Sequence, residues 1–334
     1  MLEIDGSFGE GGGQILRSSL ALSSLTGKGF RIRGIRAKRK NPGLQPQHLT
    51  SVRVMKMLTN ARVSGDYLGS TELEFEPGEV VEGSFTVDVG TAGSVSLIAM
   101  TAIPLMINRR ISLRIRGGTD VPLSPPVDYM RLVFIPLLEK MGITGKIEVK
   151  RRGHYPEGGG EVEVYGFRGE PRDLVLDSFG ELREITGVSH VTSLPAHIAK
   201  RQIQGVMEVL REFNVPVKVE EEVSNEGSRG TGIVLSAHGL SIMGASSLGE
   251  KGITAENVGR KAGTELLKEL KTGAAVDSHM GDMLVTFSAF ANLEYTGSLL
   301  TQHTETNIEV IRKFLEIDVK IEGRSPFKLR LKRK

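Results

Sequence analysis

Leu2-Glu-Ile-Asp-Gly-Ser, Phe85-Thr-Val-Asp-Val-Gly and Ala274-Ala-Val-Asp-Ser-His are three variations on one theme. Each reads as a short strand that carries an aspartate, at Asp5, Asp88 and Asp277. A Gly-containing loop follows each: Gly9-Glu-Gly-Gly-Gly-Gln, Gly90-Thr-Ala-Gly-Ser and His279-Met-Gly-Asp-Met. An apolar helix is predicted next, over 15–25, 95–106 and 284–293. A strand comes after it: Phe30-Arg-Ile-Arg, Ile111-Ser-Leu-Arg-Ile-Arg or Tyr295-Thr-Gly-Ser-Leu-Leu. Second helices are predicted over 48–58, 128–141 and 306–315. In the last of these, Val310, Ile311, Phe314 and Leu315 recur on one face of a 3.6-residue period. Two alternating strands close each unit, as in Lys146-Ile-Glu-Val-Lys with Glu161-Val-Glu-Val-Tyr. The chain therefore reads as three similar α/β units near 1–82, 84–165 and 274–334. One unit buries too little surface alone, so the three should pack around a common axis.

The stretch 170–272 breaks the repeat. It has its own predicted strands (184–191, 215–223, 232–236) and helices (196–213, 255–270), flanked by Gly166, Gly169 and Pro171. The expected architecture is an α/β (α+β) body over 1–169 plus 273–334, with a small inserted α/β domain over 170–272.

Composition narrows the function. The 334 residues include 41 Gly but no Cys, which excludes a disulfide scaffold, a thiolate nucleophile and a Cys-based metal site. Lys and Arg total 43 against 40 Asp and Glu, so any nucleic-acid contact must come from a local patch rather than a polycationic surface. An acid at Glu3 argues against a signal peptide, and the apolar run 95–107 is broken by Ser96, Thr101 and Pro104. No membrane association and a cytoplasmic location are expected.

Gly9-Glu-Gly-Gly-Gly-Gln-Ile-Leu-Arg follows a strand and opens a helix, where backbone N–H groups and the helix dipole favour anions. It lacks the Gly-Lys-Ser/Thr of a Walker loop, and tight packing at a repeat junction explains glycines alone equally well. Arg31, Arg33, Arg36, Lys38, Arg39 and Lys40 form the one dense basic run, which leads to Gln47-His48 and suits a terminal phosphate. Seven histidines are present, and no pair has the spacing of zinc ligands, which argues against a structural metal. His303, in Thr301-Gln-His-Thr-Glu-Thr-Asn just before a predicted helix, has neighbours able to orient an imidazole. Without Cys or a Gly-x-Ser-x-Gly elbow, His or Lys is the available strong nucleophile.

Several segments together carry a resemblance. They are Asp5-Gly-Ser-Phe-Gly-Glu-Gly-Gly-Gly-Gln-Ile-Leu-Arg, Ile35-Arg-Ala-Lys-Arg with Gly43-Leu-Gln-Pro-Gln-His-Leu, Gly117-Gly-Thr-Asp with Ser124-Pro-Pro, Arg152-Gly-His-Tyr-Pro-Glu-Gly-Gly-Gly-Glu-Val, and His303-Thr-Glu-Thr-Asn. Over nearly its whole length the sequence resembles the RNA 3′-terminal phosphate cyclases. The resemblance implies a three-repeat fold with an insert, as in enolpyruvate transferases. It implies ATP-dependent conversion of an RNA 3′-phosphate to a 2′,3′-cyclic phosphodiester, a ligase reaction that releases AMP and diphosphate. The family nucleophile, a His before a Thr-Asn pair, maps onto His303. The nucleotide loop maps onto His279, Met280, Gly281, Asp282 and Met283, with Met100 contributing from a helix. Family members often carry Gln at the Met100 position and Leu-Ala-Asp-Gln in place of Met280-Gly-Asp-Met283, so two polar contacts are missing here. Arg17, Arg36, Arg39, Gln47 and His48 are the candidates for the phosphate end. Glu10 would hold Mg²⁺ or Mn²⁺ or orient His303, and Pro125 and Asp128 would border the adenine. The implied partners are ATP and RNA with a 3′-terminal phosphate; a homo-oligomer is left open. The rival readings are a non-catalytic cyclase-like protein that binds RNA in ribosome assembly, and an enolpyruvyl-type transferase on the shared fold.

Overall fold

The computed structural model describes residues 1–334. Its first sheet holds β1 (Leu2–Asp5), β2 (Phe30–Arg33), β3 (Arg62–Ser64) and β4 (Glu72–Glu76), ordered β1-β2-β4-β3. β1 runs parallel to β2, and the other pairings are antiparallel. The second sheet repeats this with β5 (Gly83–Asp88), β6 (Ile111–Gly117), β7 (Ile143–Arg151) and β8 (Gly160–Gly169), ordered β5-β6-β8-β7. A parallel pair needs a crossover, and the helices Gln14–Thr26 and Val95–Met106 supply it. The helix Pro46–Thr59 and the helical run 127–140 then lead to the closing hairpins.

The third unit departs from the sequence reading. Its opening strand is β9 (Leu174–Leu176), which lies on the far side of the irregular stretch from Ala274. Ala274–Asp277 forms no strand and makes one isolated bridge, Val276 to Gly297. Between β9 and its parallel partner the chain builds β10 (Glu184–Thr192), β11 (Val217–Ser224), β12 (Gly230–His238) and β13 (Ile242–Leu248). The helices His197–Leu210 and Ala255–Lys271 pack on this sheet, whose order is β11-β10-β12-β13. The chain then completes the third unit with β14 (Leu293–Gly297), β15 (Ile317–Gly323) and β16 (Phe327–Arg333), ordered β9-β14-β16-β15. The extra sheet thus interrupts the crossover of unit three instead of separating two units. The helix predicted over 284–293 is a short turn, Met280–Met283, and a 3₁₀ segment, Val285–Ala289.

The three units share one core of 66 buried apolar side chains, as their individual incompleteness requires. Phe30 of the first sheet lies 5.8 Å from Phe75 and 6.1 Å from Phe314 of the helix Gln302–Phe314, so units one and three meet ring to ring. Phe134 and Phe287 do the same for units two and three, at 5.8 Å. The helix Val95–Met106 is apolar on nearly every side because ten of its twelve residues are buried. The extra sheet has a second core of 13 residues, including Ile185, Val206, Leu235 and Leu266. No helix is long and apolar enough to cross a membrane.

Candidate active site

The repeated aspartate has a local task. Asp5 accepts a hydrogen bond from the Ser7 N–H (2.9 Å), Asp88 from Gly90 (2.8 Å) and Asp277 from His279 (3.0 Å). Each closes a turn that sends the chain from a strand end or its equivalent into the Gly-containing loop. In the first loop Gly9 and Gly11 sit at φ +61° and +62°, where a side chain is strained. Gly13 is required for space: a Cβ there would lie 2.4 Å from His48 Nε2 and 2.9 Å from Arg17 Nη1.

Gln14, the next residue, reaches unit three, and the two units meet over a cleft of about 1190 Å³. The helix Gln302–Phe314 begins four residues before the predicted start at 306, so His303 lies in its first turn and not ahead of it. Thr301 caps that helix, its Oγ1 accepting from Thr304 N–H at 3.2 Å. The Gln14 carbonyl Oε1 lies 2.5 Å from His303 Nδ1. Gln14 Nε2 donates to Asp282 Oδ2 at 2.7 Å, which fixes the amide with its carbonyl toward the imidazole. Nδ1 therefore carries the ring proton, and Nε2 keeps its lone pair. Glu10 Oε1 is 2.8 Å from the same Nδ1 but forms no hydrogen bond, since the N–H is aimed at Gln14. Burial raises the Asp282 carboxyl, and His303 opposes that shift. Asn307 holds the Asp282 backbone carbonyl at 3.0 Å and accepts from Ser18.

The basic residues of unit one lie beside this group. His48 is 4% exposed; burial, and then Arg17, Arg36 and Arg39, push its imidazole down to about 3. It is a neutral ring, and because Nδ1 accepts from the Gln45 N–H at 3.2 Å, Nε2 is a donor. Burial lowers Arg17 to about 10, leaving it cationic at neutral pH. Arg39 lies 3.8 Å from Glu10. The Arg36 guanidinium donates to the carbonyls of Asn41 (2.5 Å) and Gly43 (3.0 Å), which braces the basic loop. Gln47 Oε1 accepts from Ser94 N–H at 3.2 Å, tying unit one to the start of the Val95–Met106 helix.

All five phosphate candidates line the cleft, as do Glu10, Met100, Pro125, His279, Asp282, Met283 and His303. Met280 and Gly281 are buried beneath its floor, where the Gly281 carbonyl accepts from Tyr295 OH at 2.5 Å. Asp128 is fully buried and outside the cleft. It pairs with Arg131 and, at 2.9 Å, with Arg152, so it cannot border an adenine. Sequence reasoning missed the far wall. Arg229, Lys251 and Lys261 of the inserted sheet and its helix face the same cleft, and no local pattern marks them because the fold alone brings them there.

The family model described as RNA 3′-terminal phosphate cyclase matches residues 8–321. A protein of that name from Sulfolobus acidocaldarius is 55% identical over 334 residues, covering 99% of this chain and 100% of its own. Relatives with the same name in Sulfurisphaera tokodaii and Saccharolobus solfataricus are 54% and 52% identical, each covering at least 99% of both chains. A solved EPSP synthase from Acinetobacter baumannii is 9% identical with a TM-score of 0.32, covering 99% of this chain and 64% of its own, a likeness too loose to argue from.

Proposed function

The chain belongs to the RNA 3′-terminal phosphate cyclase family, and on that premise we propose that it converts an RNA 3′-phosphate to a 2′,3′-cyclic phosphodiester at the expense of ATP, through AMP carried on His303. The observation that carries this reading is the pinned Nδ1–H of His303, which leaves Nε2 as a lone pair at the cleft. Nε2 attacks the α-phosphorus of ATP and diphosphate departs. The ring then bears positive charge, which the Gln14 carbonyl and the Glu10 carboxylate offset. An oxygen of the RNA 3′-phosphate next displaces His303 from phosphorus, giving an RNA–AMP anhydride. The adjacent 2′-OH attacks the terminal phosphorus and expels AMP, an intramolecular step that proximity favours and that DNA cannot perform. Arg17, Arg39 and the His48 Nε2–H, which line the same cleft, would hold the phosphate end.

Glu10 suits a divalent cation. Its Oε1 is buried with no hydrogen-bond donor, and one carboxylate plus substrate phosphates is an ordinary Mg²⁺ donor set. Mg²⁺ or Mn²⁺ would offset charge on the departing diphosphate.

The test is incubation with α-labelled ATP and Mg²⁺. Acid-labile label on the wild type and none on His303→Ala is expected, with cyclisation lost by a factor of about a thousand or more. A wild type that takes no label would favour a non-catalytic RNA-binding protein. Label surviving in His303→Ala would move the nucleophile elsewhere.

A further inference from the structure

Behind the cleft, where unit two meets the inserted sheet, three metal-ligating side chains converge in a buried pocket that the cyclisation chemistry does not use. His154 lies in the loop after β7 and His190 lies on β10; they are 5% and 1% exposed. Their Nε2 atoms are 2.9 Å apart, and their rings stack with centroids at 5.1 Å. Asp120 is 2% exposed, with Oδ2 3.9 Å from His190 Nε2. Its other oxygen, Oδ1, is buried without a hydrogen-bond donor.

We infer that Asp120, His154 and His190 form a binding site for one divalent transition-metal ion, with zinc and cobalt as the matching class. His154 Nδ1 is 2.9 Å from the Ser228 carbonyl, so Nδ1 carries the proton and Nε2 is left as a donor atom. That backbone contact is the usual way a ligating imidazole is oriented. A metal about 2.1 Å from both Nε2 atoms would see them at roughly 90°, an angle suited to five or six ligands rather than four. Asp120 and His154 also line the cleft, so further positions are open to water. Asp120 faces the imidazoles with Oδ2, which also accepts from Thr119 (2.7 Å) and Arg152 (3.1 Å), and its Oδ1 is left without a donor, so one oxygen can ligate while the other takes over a hydrogen bond. The surroundings tolerate added positive charge: the Asp120, Asp128 and Glu222 carboxylates face only the Arg152 and Arg131 guanidinium groups. Two imidazoles and a carboxylate favour zinc, cobalt or nickel over magnesium or calcium. His190 Nδ1 has no partner with or without a metal, so it decides nothing. The ion would join unit two to the insert, since His154 and Asp120 come from one and His190 from the other.

Untagged protein stripped with a chelator is titrated with Zn²⁺ and Co²⁺. One equivalent of tightly bound ion is expected, with a visible Co²⁺ spectrum and a rise in Tm. His154→Gln and His190→Gln should each weaken binding more than tenfold and abolish the Tm rise. The double variant Glu10→Ala/His303→Ala should keep it, which separates this ion from any bound at the reaction centre. X-ray absorption of the zinc-loaded wild type, expected to show imidazole nitrogens, reads the same point if the His variants fail to fold. Absence of stoichiometric binding, an all-oxygen shell, or binding unchanged by His154→Gln would overturn the inference.

Discussion

Units one and two handle their repeated aspartate differently from unit three. Asp5 and Asp88 are exposed, and each bonds only within its own turn, Asp5 to the Ser7 N–H and hydroxyl and Asp88 to the Gly90 N–H. Asp277 closes the same turn but is fully buried. Its Oδ1 also accepts from Met280 N–H (2.9 Å) and Tyr129 OH (2.7 Å), and its Oδ2 from Gly244 N–H (2.8 Å). Tyr129 belongs to unit two and Gly244 to β13 of the insert. A residue that only shapes a loop in two repeats joins three parts of the molecule in the third. The reason is the insertion, which packs against the turn and removes its water. Burial accordingly raises the Asp277 carboxyl and holds the Tyr129 hydroxyl well above its ordinary range.

The comparison breaks most sharply at Asp277→Ala. The change strands three buried donors, besides the part-buried His279 N–H, so unfolding by urea should show a loss of about 3–5 kcal/mol. Asp277→Asn retains an acceptor for the turn and for Tyr129 but turns an N–H₂ toward Gly244, so its loss should be smaller. Equal losses would show that the contact to Gly244 of the insert carries the whole effect, and the turn and the Tyr129 hydrogen bond none of it.

Gly13→Ala probes the equivalent loop of unit one, where space and not charge is limiting. The new methyl would meet His48 Nε2 at 2.4 Å, displacing the ring or Arg17. Displacement of this order should lower the cyclisation rate about a hundredfold, while Tm moves by only a few degrees. Unchanged turnover would mean that the glycine serves packing alone.

These contrasts also mark what the sequence disclosed. The helix over 95–106 was legible to the residue, because a buried apolar run ended by Ser94 and Asn108 leaves little choice. Unit order and the existence of an insert were legible from periodicity. The opening strand of unit three was not: Leu174–Leu176 is only three residues long, and although Asp177-Ser-Phe-Gly follows it, the chain then enters the inserted sheet instead of an apolar crossover helix. That pattern reappears at Asp277, after the chain has returned from the insert, and it marks the loop rather than the strand. At the site, residue type and resemblance singled out His303, Glu10 and the basic loop, whose Arg36 and Arg39 the fold brings to the same cleft. Asp128 was misjudged because its partner Arg152 is distant in sequence. His154 and His190 were passed over because 36 residues separate them and only the fold brings their rings together.

A third contrast concerns protonation. His48 titrates near 3 in the folded protein and near 6.5 when unfolded, so between those values the unfolded chain binds more protons. Stability from this residue is fully present above about pH 6.5 and falls as the pH drops toward 3, by about 1.4 kcal/mol per pH unit. His48→Gln should flatten the stability curve by that slope across the window. A variant curve parallel to the wild type would place the acid sensitivity in other groups.

The smallest effect expected is at Asp88→Ala, and it tests the comparison from its quiet side. Asp88 offers one hydrogen bond, to the Gly90 N–H, at a position where water can replace it. The loss should be about 0.5–1 kcal/mol, read as a small shift of the urea midpoint with an unchanged slope. Cyclisation should be unaffected, because Asp88 does not line the cleft and the loop after it meets the site only through the Ser94–Gln47 contact. A loss matching that of Asp277→Ala would mean that the shared turn is the stabilising element in every repeat. The burial of Asp277 would then add nothing, and the contrast between the units would fail.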